Sequence, residues 1–133
     1  MKVLVVEPMK PCQVREIPDT LDAMRQIVGG DIEAVTSLRN ASAIVCNDMG
    51  KLQGLPYNRP LLDESGLIPL DILHGTFFIT GMSGEHFVSL TEEQIQRYKD
   101  LYDNVMIVTA VKEQSPQEMP AEKKKKPKSK GER

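Results

Sequence analysis

The chain has no tryptophan, and its aromatic residues are limited to three tyrosines and three phenylalanines among 133 residues. Aliphatic side chains must therefore supply most of any hydrophobic core. Apolar runs are also short: the N-terminal run MKVLVV ends at Glu7 and Pro8, well below the roughly 18 residues that a transmembrane helix needs. The same segment lacks the long apolar region and small-residue cleavage site of a signal peptide. We therefore expect a cytoplasmic protein that does not interact with membranes.

Cysteine and histidine are equally scarce. Cys12, Cys46, His74 and His86 are scattered, and no pair shows a spacing such as C-x₂-C that a structural zinc site uses. Without a secretion signal, two free thiols are expected rather than a disulfide. The sequence therefore predicts neither a metal nor a cofactor.

Motifs that carry catalysis are absent as well. There is no G-x-S-x-G nucleophile motif, no phosphate-binding G-x₄-G-K-[ST] loop, and no pair of carboxylates spaced for general acid–base work. A lone histidine is more often packed or exposed than catalytic. Glu33 follows Gly29 and Gly30 and could belong to a site, but a helix C-cap leading into a strand explains these glycines. Nothing in the sequence favours an enzyme, although a pocket joining Glu33, His74 or His86 to the loop of residues 47–60 would allow one.

Charge is distributed unevenly. The formal net charge is −2, but residues 112–133 hold eight basic residues and four glutamates, a net charge of +4. Residues 1–111 hold nine basic and fifteen acidic residues, a net charge of −6. An acidic domain argues against a large nucleic-acid-binding surface on the domain itself. Because residues 112–133 also lack apolar periodicity, we predict a single domain of residues 1–111 followed by a disordered Lys-rich tail of residues 112–133.

The order of apolar patterns predicts an α+β domain. Short runs rich in β-branched residues predict strands, and turn residues between two such runs predict hairpins. The predicted strands are a hairpin within residues 2–17, then residues 31–36, 41–46, 71–80 with Gly75 as a bulge, 85–90 and 105–111. We expect a mostly antiparallel sheet of five or six strands with two helices packed on one face.

The two helices are predicted from their caps. The first covers residues 19–28, with Asp19 as the candidate N-cap and Gly29-Gly30 as its C-terminal stop. The second covers residues 91–104, and its T-E-E-Q sequence beginning at Thr91 is a capping box.

The least regular stretch of the chain lies between the strands predicted at residues 41–46 and 71–80. Residues 47–70 contain three prolines and three glycines without helical or strand periodicity. Irregular connections of this length are uncommon in a compact domain and are often functional. Turn formers and polar side chains are densest in NDMGKLQGLPYNRP, residues 47–60, which we call the polar loop. Its D-M-G-K segment suits a tight turn in which Asp48 bonds its own backbone and Gly50 takes a positive φ.

The polar side chains of this loop are candidate ligand donors. Lys51 and Arg59 could meet an anionic group, and the guanidinium fork suits phosphate or carboxylate. Asn47 and Asn58 could offer paired donors and acceptors. Turn chemistry explains the first half of the loop but not Asn58 and Arg59. We therefore predict a ligand- or partner-binding site at Asn47, Lys51, Asn58 and Arg59, and expect the last two to be its most informative members.

Five sequence blocks, in this order and spacing, resemble an uncharacterised domain family. They are MKVLVVEP, IVGGDIE, NDMGKLQGLPYNRP, GTFFITG and FVSLTEEQIQRY, and the resemblance covers about residues 1–105. The family that they resemble is a domain of unknown function found in phages and conjugative elements of Gram-positive bacteria. The resemblance implies a mobile-element origin and the cytoplasm of a bacterial host cell, but no activity.

Two functions are expected. The first is a non-enzymatic binding protein of a phage or mobile element, which engages a host protein or sequesters a small anionic ligand through the polar loop. The alternative is a nucleic-acid-associated accessory protein that acts through its basic C-terminal tail. Such a tail would bind phosphates weakly and without reading sequence, because no aromatic residues are interleaved. Its candidate contacts are Lys123, Lys124, Lys125, Lys126, Lys128 and Lys130.

Overall fold

A computed structural model describes residues 1–104, which form eight strands and two helices. In chain order these are β1 (Lys2–Val6), β2 (Gln13–Glu16), α1 (Leu21–Val28), β3 (Ile32–Ser37), β4 (Ser42–Asn47), β5 (Tyr57–Leu62), β6 (Pro69–His74), β7 (Phe77–Ser83), β8 (His86–Val88) and α2 (Glu92–Tyr102). Six strands form one antiparallel sheet in the order β2-β1-β7-β4-β3, with β8 pairing with the end of β7. β5 and β6 form a separate two-stranded ribbon. The predicted α+β class and antiparallel sheet are confirmed.

Local capping explains where both helices begin. Gln94 N donates to Thr91 Oγ1 at 3.1 Å while Thr91 N donates to Gln94 Oε1 at 2.9 Å, which confirms the capping box of α2. The N-cap of α1 is Thr20 rather than the predicted Asp19, because Thr20 Oγ1 accepts a hydrogen bond from Ala23 N. Gly29, with φ 80°, ends α1 as predicted.

The two helices cover opposite faces of the main sheet, which corrects the expectation that both pack on one face. Successive residues of a strand point to opposite faces. The registers align Leu4, Ile79 and Ile44 on one face and Val5, Phe78 and Val45 on the other. The first face packs against Ile95, Tyr98 and Tyr102 of α2, and the second against Met24 and Val28 of α1. Helical periodicity shows which side of a helix is buried, but not which face of the sheet buries it.

The stretch of residues 47–70 is more regular than predicted, because it contains β5. The β5–β6 ribbon lies on the α2 face of the sheet, where Leu61, Leu62 and Leu73 pack against the core. The strand predicted at residues 71–80 is in fact two strands separated at Gly75. Gly75 has φ 82°, a left-handed conformation that glycine adopts readily, and there the chain leaves the ribbon for the central strand β7.

The strand predicted at residues 105–111 and the tail of residues 112–133 lie outside the described residues, so the predicted domain boundary stays a prediction. Within residues 1–104, no helix has the length and apolar character required to cross a membrane.

Candidate functional site

Arg59 is buried inside the domain, with a relative exposure of 1%. Its Nε donates to the main-chain oxygen of Tyr102 at 2.7 Å, Nη2 to that of Lys10 at 2.5 Å, and Nη1 to Asn58 Oδ1 at 2.8 Å. Tyr102 is the last residue of α2, so the guanidinium lies at the negative end of the helix dipole. Burial lowers the pKa of Arg59. The guanidinium of Arg59 is therefore occupied by contacts within the domain and almost inaccessible to solvent, which does not favour its predicted role towards an external anion.

Asn58 is equally buried, at 1% exposure. Its Nδ2 donates to the main-chain oxygens of Val6 and Gly75 at 2.9 and 2.8 Å, and its Oδ1 accepts from Arg59. Together, Asn58 and Arg59 connect the ribbon to β1, to the turn after β1 and to the end of α2. Asn58 and Arg59 thus have a structural explanation that does not involve a ligand.

Asn47 is 6% exposed and holds the start of the polar loop. Its Oδ1 accepts from Met49 N at 2.8 Å, and its Nδ2 donates to the main-chain oxygen of Val28 at 3.2 Å. The side chain that forms the turn is therefore that of Asn47 and not of Asp48. Asn47 links the loop to the end of α1 and acts as a positioning residue.

Gly50 is required by close packing rather than by a positive φ. Its φ is not among the positive values of the described glycines. A Cβ at this position would lie 2.8 Å from the main-chain oxygen of His74 in β6, a distance that real Cβ atoms essentially never show. The loop can therefore approach β6 only because residue 50 has no side chain.

Lys51, alone of the four predicted site residues, is exposed. It lines an open cleft of about 350 Å³ between the polar loop, the end of β4 and β6. Its ammonium forms an ion pair with the carboxylate of Asp71. The other lining residues are Glu33, Cys46, Asn47, Asp48, Met49, Gly50, Leu52, Ile72, Leu73 and His74.

The electrostatics of this cleft, which we call the Lys51 cleft, favour cationic groups. Glu33, Asp48 and Asp71 provide three carboxylates against the single ammonium of Lys51. The hydrogen bond from Lys51 lowers the pKa of Asp71, which keeps that carboxyl ionised. A small anion would meet net negative charge here, which disfavours its binding.

The chemistry of the cleft does not favour catalysis. Burial, reinforced by the surrounding carboxylates, raises the pKa of Cys46 to about 11, so the thiol is protonated at neutral pH and a poor nucleophile. Glu33 and His74 line the same cleft, but His74 Nδ1 lies 3.1 Å from the main-chain oxygen of Leu55. His86 lies apart from them in β8. Among the described residues, no three His, Cys, Asp or Glu side chains are arranged to hold a metal ion.

Sequence reasoning missed Asp71 as a member of this site. Asp71 lies 20 residues from Lys51, and only the folding of the ribbon brings the two together. No local motif marks it, since D-I-L-H reads as the beginning of an ordinary strand.

Comparison with known proteins identifies a family without a known activity. No curated protein and no solved structure matches the chain. The sequence model of a domain of unknown function, DUF3846, matches residues 1–103. The match includes the main sheet, the ribbon and both helices. The chain therefore belongs to the DUF3846 family of domains of unknown function.

Proposed function

We propose that the chain is a non-enzymatic binding protein of a phage or mobile element, and that it engages a host protein through the Lys51 cleft. The observation that supports this is the combination of apolar and charged groups at the cleft. Met49 and Leu52 are 43% and 81% exposed, beside Glu33, Asp48 and Lys51. Exposed apolar side chains rimmed by polar groups are typical of protein interaction sites.

A protein partner fits this cleft better than a small anion. Arg59 is buried, and the charge of Lys51 is already compensated by Asp71. The sequence of residues 1–111 carries a net charge of −6, which favours association with a basic surface. The expected partner therefore presents basic side chains around an apolar contact.

Capture from host lysate with the full-length chain as bait tests this proposal. The cleft variants are Asp48→Lys and Leu52→Glu. Their matched controls are Glu85→Lys and Leu38→Glu, since both residues are exposed and do not line the cleft. Proteins quantified by mass spectrometry should be lost about tenfold or more with the cleft variants, and retained with the controls. Equal capture by all four variants would show that the cleft is not the binding surface.

The charge distribution of the sequence favours a second function, weak nucleic-acid binding through residues 112–133. These residues carry a net charge of +4 and include Lys123, Lys126 and Lys130. Binding to phosphates should weaken steeply as salt is raised and should disappear when residues 112–133 are deleted. A deleted chain that binds DNA or RNA as well as the full chain would reject this function.

A further inference from the structure

β3 is an edge strand, and its outer side is unpaired within the described residues 1–104. It pairs with β4 on one side, and no strand within residues 1–104 pairs with it on the other. Edge strands of soluble proteins usually carry lysine, proline or a bulge, which prevent another strand from pairing with them. β3 has the sequence IEAVTS, which contains no lysine or proline and only one charged residue, Glu33, and its register against β4 is uninterrupted. The ribbon strands β5 and β6, by contrast, contain prolines and register shifts.

The hydrogen-bond register identifies the main-chain groups at this free edge. Asp48 N donates to the main-chain oxygen of Asp31, so these two residues form a hydrogen-bonded pair. Such pairs alternate along an antiparallel ladder. Ile32, Ala34 and Thr36 therefore direct their N–H and C=O groups away from β4. Ala34 and Thr36 are also exposed, which makes their main-chain groups available to another strand.

The side chains beside the free edge are acidic at one position and apolar at the next. Glu33 lines the Lys51 cleft together with Asp48 and Asp71. Val35, two residues along the same face, lines a smaller cavity of about 110 Å³ that also includes Leu70. A strand laid along β3 would thus place one side chain near three carboxylates and another against Val35 and Leu70.

We propose that β3 binds an extended segment of the partner protein as an additional strand. The segment carries a lysine or arginine next to Glu33 and an aliphatic residue two positions along, against Val35. Hydrogen bonds to the main chain of Ala34 and Thr36 supply affinity, and the alternating side chains supply specificity. This inference rests on the proposed function, because the basic side chain enters the Lys51 cleft.

Other occupants of the edge fit its chemistry less well. A second copy of the chain would bring two acidic clefts together, and this repulsion disfavours the pairing. The lysine-rich residues 123–130 contain a proline and no aliphatic residue. Residues 105–112 contain one lysine, Lys112, and the residues two positions from it are Ala110 and Gln114, neither of which is a large aliphatic residue. A partner segment that is both basic and aliphatic is therefore the occupant.

Nuclear magnetic resonance of the ¹⁵N-labelled full-length chain tests the strand addition. The probe is a short synthetic peptide, blocked at both ends, in which a lysine and a valine lie two positions apart and threonines fill the other positions, so that both side chains fall on one face of a strand. The same peptide with glutamate in place of the lysine is its charge control. The lysine peptide should shift the amide signals of Ala34 and Thr36 and slow their exchange with solvent. The affinity of the glutamate peptide should be at least about tenfold lower than that of the lysine peptide. A lysine peptide N-methylated along its backbone should not bind, because it cannot pair as a strand.

Proline variants of the protein test whether the free edge of β3 binds the peptide. Ala34→Pro removes an outward N–H without affecting a bond to β4, and proline is tolerated at such edge positions. Val14→Pro is its matched control, since Ile17 N donates to Met1 O and this register directs Val14 N–H outward from the other edge strand, β2. Binding of the lysine peptide should weaken about tenfold in Ala34→Pro and stay unchanged in Val14→Pro.

Full binding by Ala34→Pro would overturn the strand addition, and so would full binding of the N-methylated peptide. No binding of the lysine peptide up to about 1 mM would also overturn it. If the peptide instead shifts signals of Asp48 and Lys51 but not of Ala34, strand addition is wrong while the cleft remains a binding site. The cleft itself is judged separately, by the capture experiment.

Discussion

Replacing Arg59 by methionine tests whether the buried guanidinium stabilises the domain. The variant leaves three acceptors without donors: the buried main-chain oxygen of Tyr102, the buried Asn58 Oδ1, and the partly buried main-chain oxygen of Lys10. Each unsatisfied group costs about 1–3 kcal/mol, or about 3–9 kcal/mol for the three. Removing a desolvated charge recovers part of this, so we expect a net loss of about 3–5 kcal/mol. Since domains of this size are stable by only about 5–15 kcal/mol, the loss is large.

Urea unfolding of the full-length chain, followed by circular dichroism, measures the free energy of unfolding from its midpoint and slope. Arg59→Lys is a milder variant that keeps the charge but cannot reach three acceptors in different directions, and it should lose about 2–3 kcal/mol. Arg39→Met is the control, because Arg39 is exposed and should change stability by less than about 0.5 kcal/mol. A loss below about 1 kcal/mol for Arg59→Met would refute the reasoning. It would mean that desolvation cancels the hydrogen bonds, so that stability does not explain why the residue is an arginine.

Three further predictions test other parts of the fold. Burial is the main cause that raises the pKa of Cys12 to about 12 and of Cys46 to about 11, so neither thiol should react with Ellman's reagent in the native protein at neutral pH, and both should react in urea. The two buried thiols contribute fully to stability below the ordinary thiol pKa of 9.0, and this contribution is lost as the pH rises toward their pKa values in the folded protein. A free energy of unfolding that stays constant above pH 9.0 would contradict this prediction. Gly50→Ala should lower the free energy of unfolding by about 1–3 kcal/mol, and an unchanged urea midpoint would show that the loop can move away from β6. Thr91→Ala should cost about 1 kcal/mol through the lost cap of α2, and equal stability of variant and parent would show that the cap is dispensable.

The parts of the fold that the sequence predicts are those determined by neighbouring residues. The T-E-E-Q capping box forms between Thr91 and Gln94, three residues apart, and Gly29 ends α1 through its own backbone conformation. The strands β1 and β4 follow from short apolar runs, and β3 follows from an imperfect alternation of apolar and polar residues. Each of these signals needs only a few consecutive side chains, so the amino-acid sequence alone contains it.

The parts that the sequence does not predict depend on distant contacts. β5 contains Asn58, Arg59 and a proline, a composition that normally argues against a strand. Its polar side chains are buried against hydrogen-bond partners that are distant in sequence. These partners are Tyr102, Lys10 and Val6, which lie 43, 49 and 52 residues away. Contacts between residues distant in sequence also determine the position of Asp71 in the cleft and the side of the sheet that each helix covers. Neither could therefore be predicted from the sequence. A polar residue that looks free in sequence can therefore be among the most buried in the fold.

The buried residues of the polar loop hold the walls of the Lys51 cleft in place. Asn58 and Arg59 fix the ribbon that forms one wall of the Lys51 cleft, while Asn47 and Gly50 hold the loop that forms the opposite wall. Both walls are thus positioned by buried contacts within the domain itself, which lowers the entropy cost of binding. Substitutions at the buried positions would weaken binding indirectly, by loosening the walls or unfolding the domain. Loss of binding identifies a contact residue only where stability is unchanged, and the exposed Asp48 and Leu52 are positions in the loop where we expect that condition to be met.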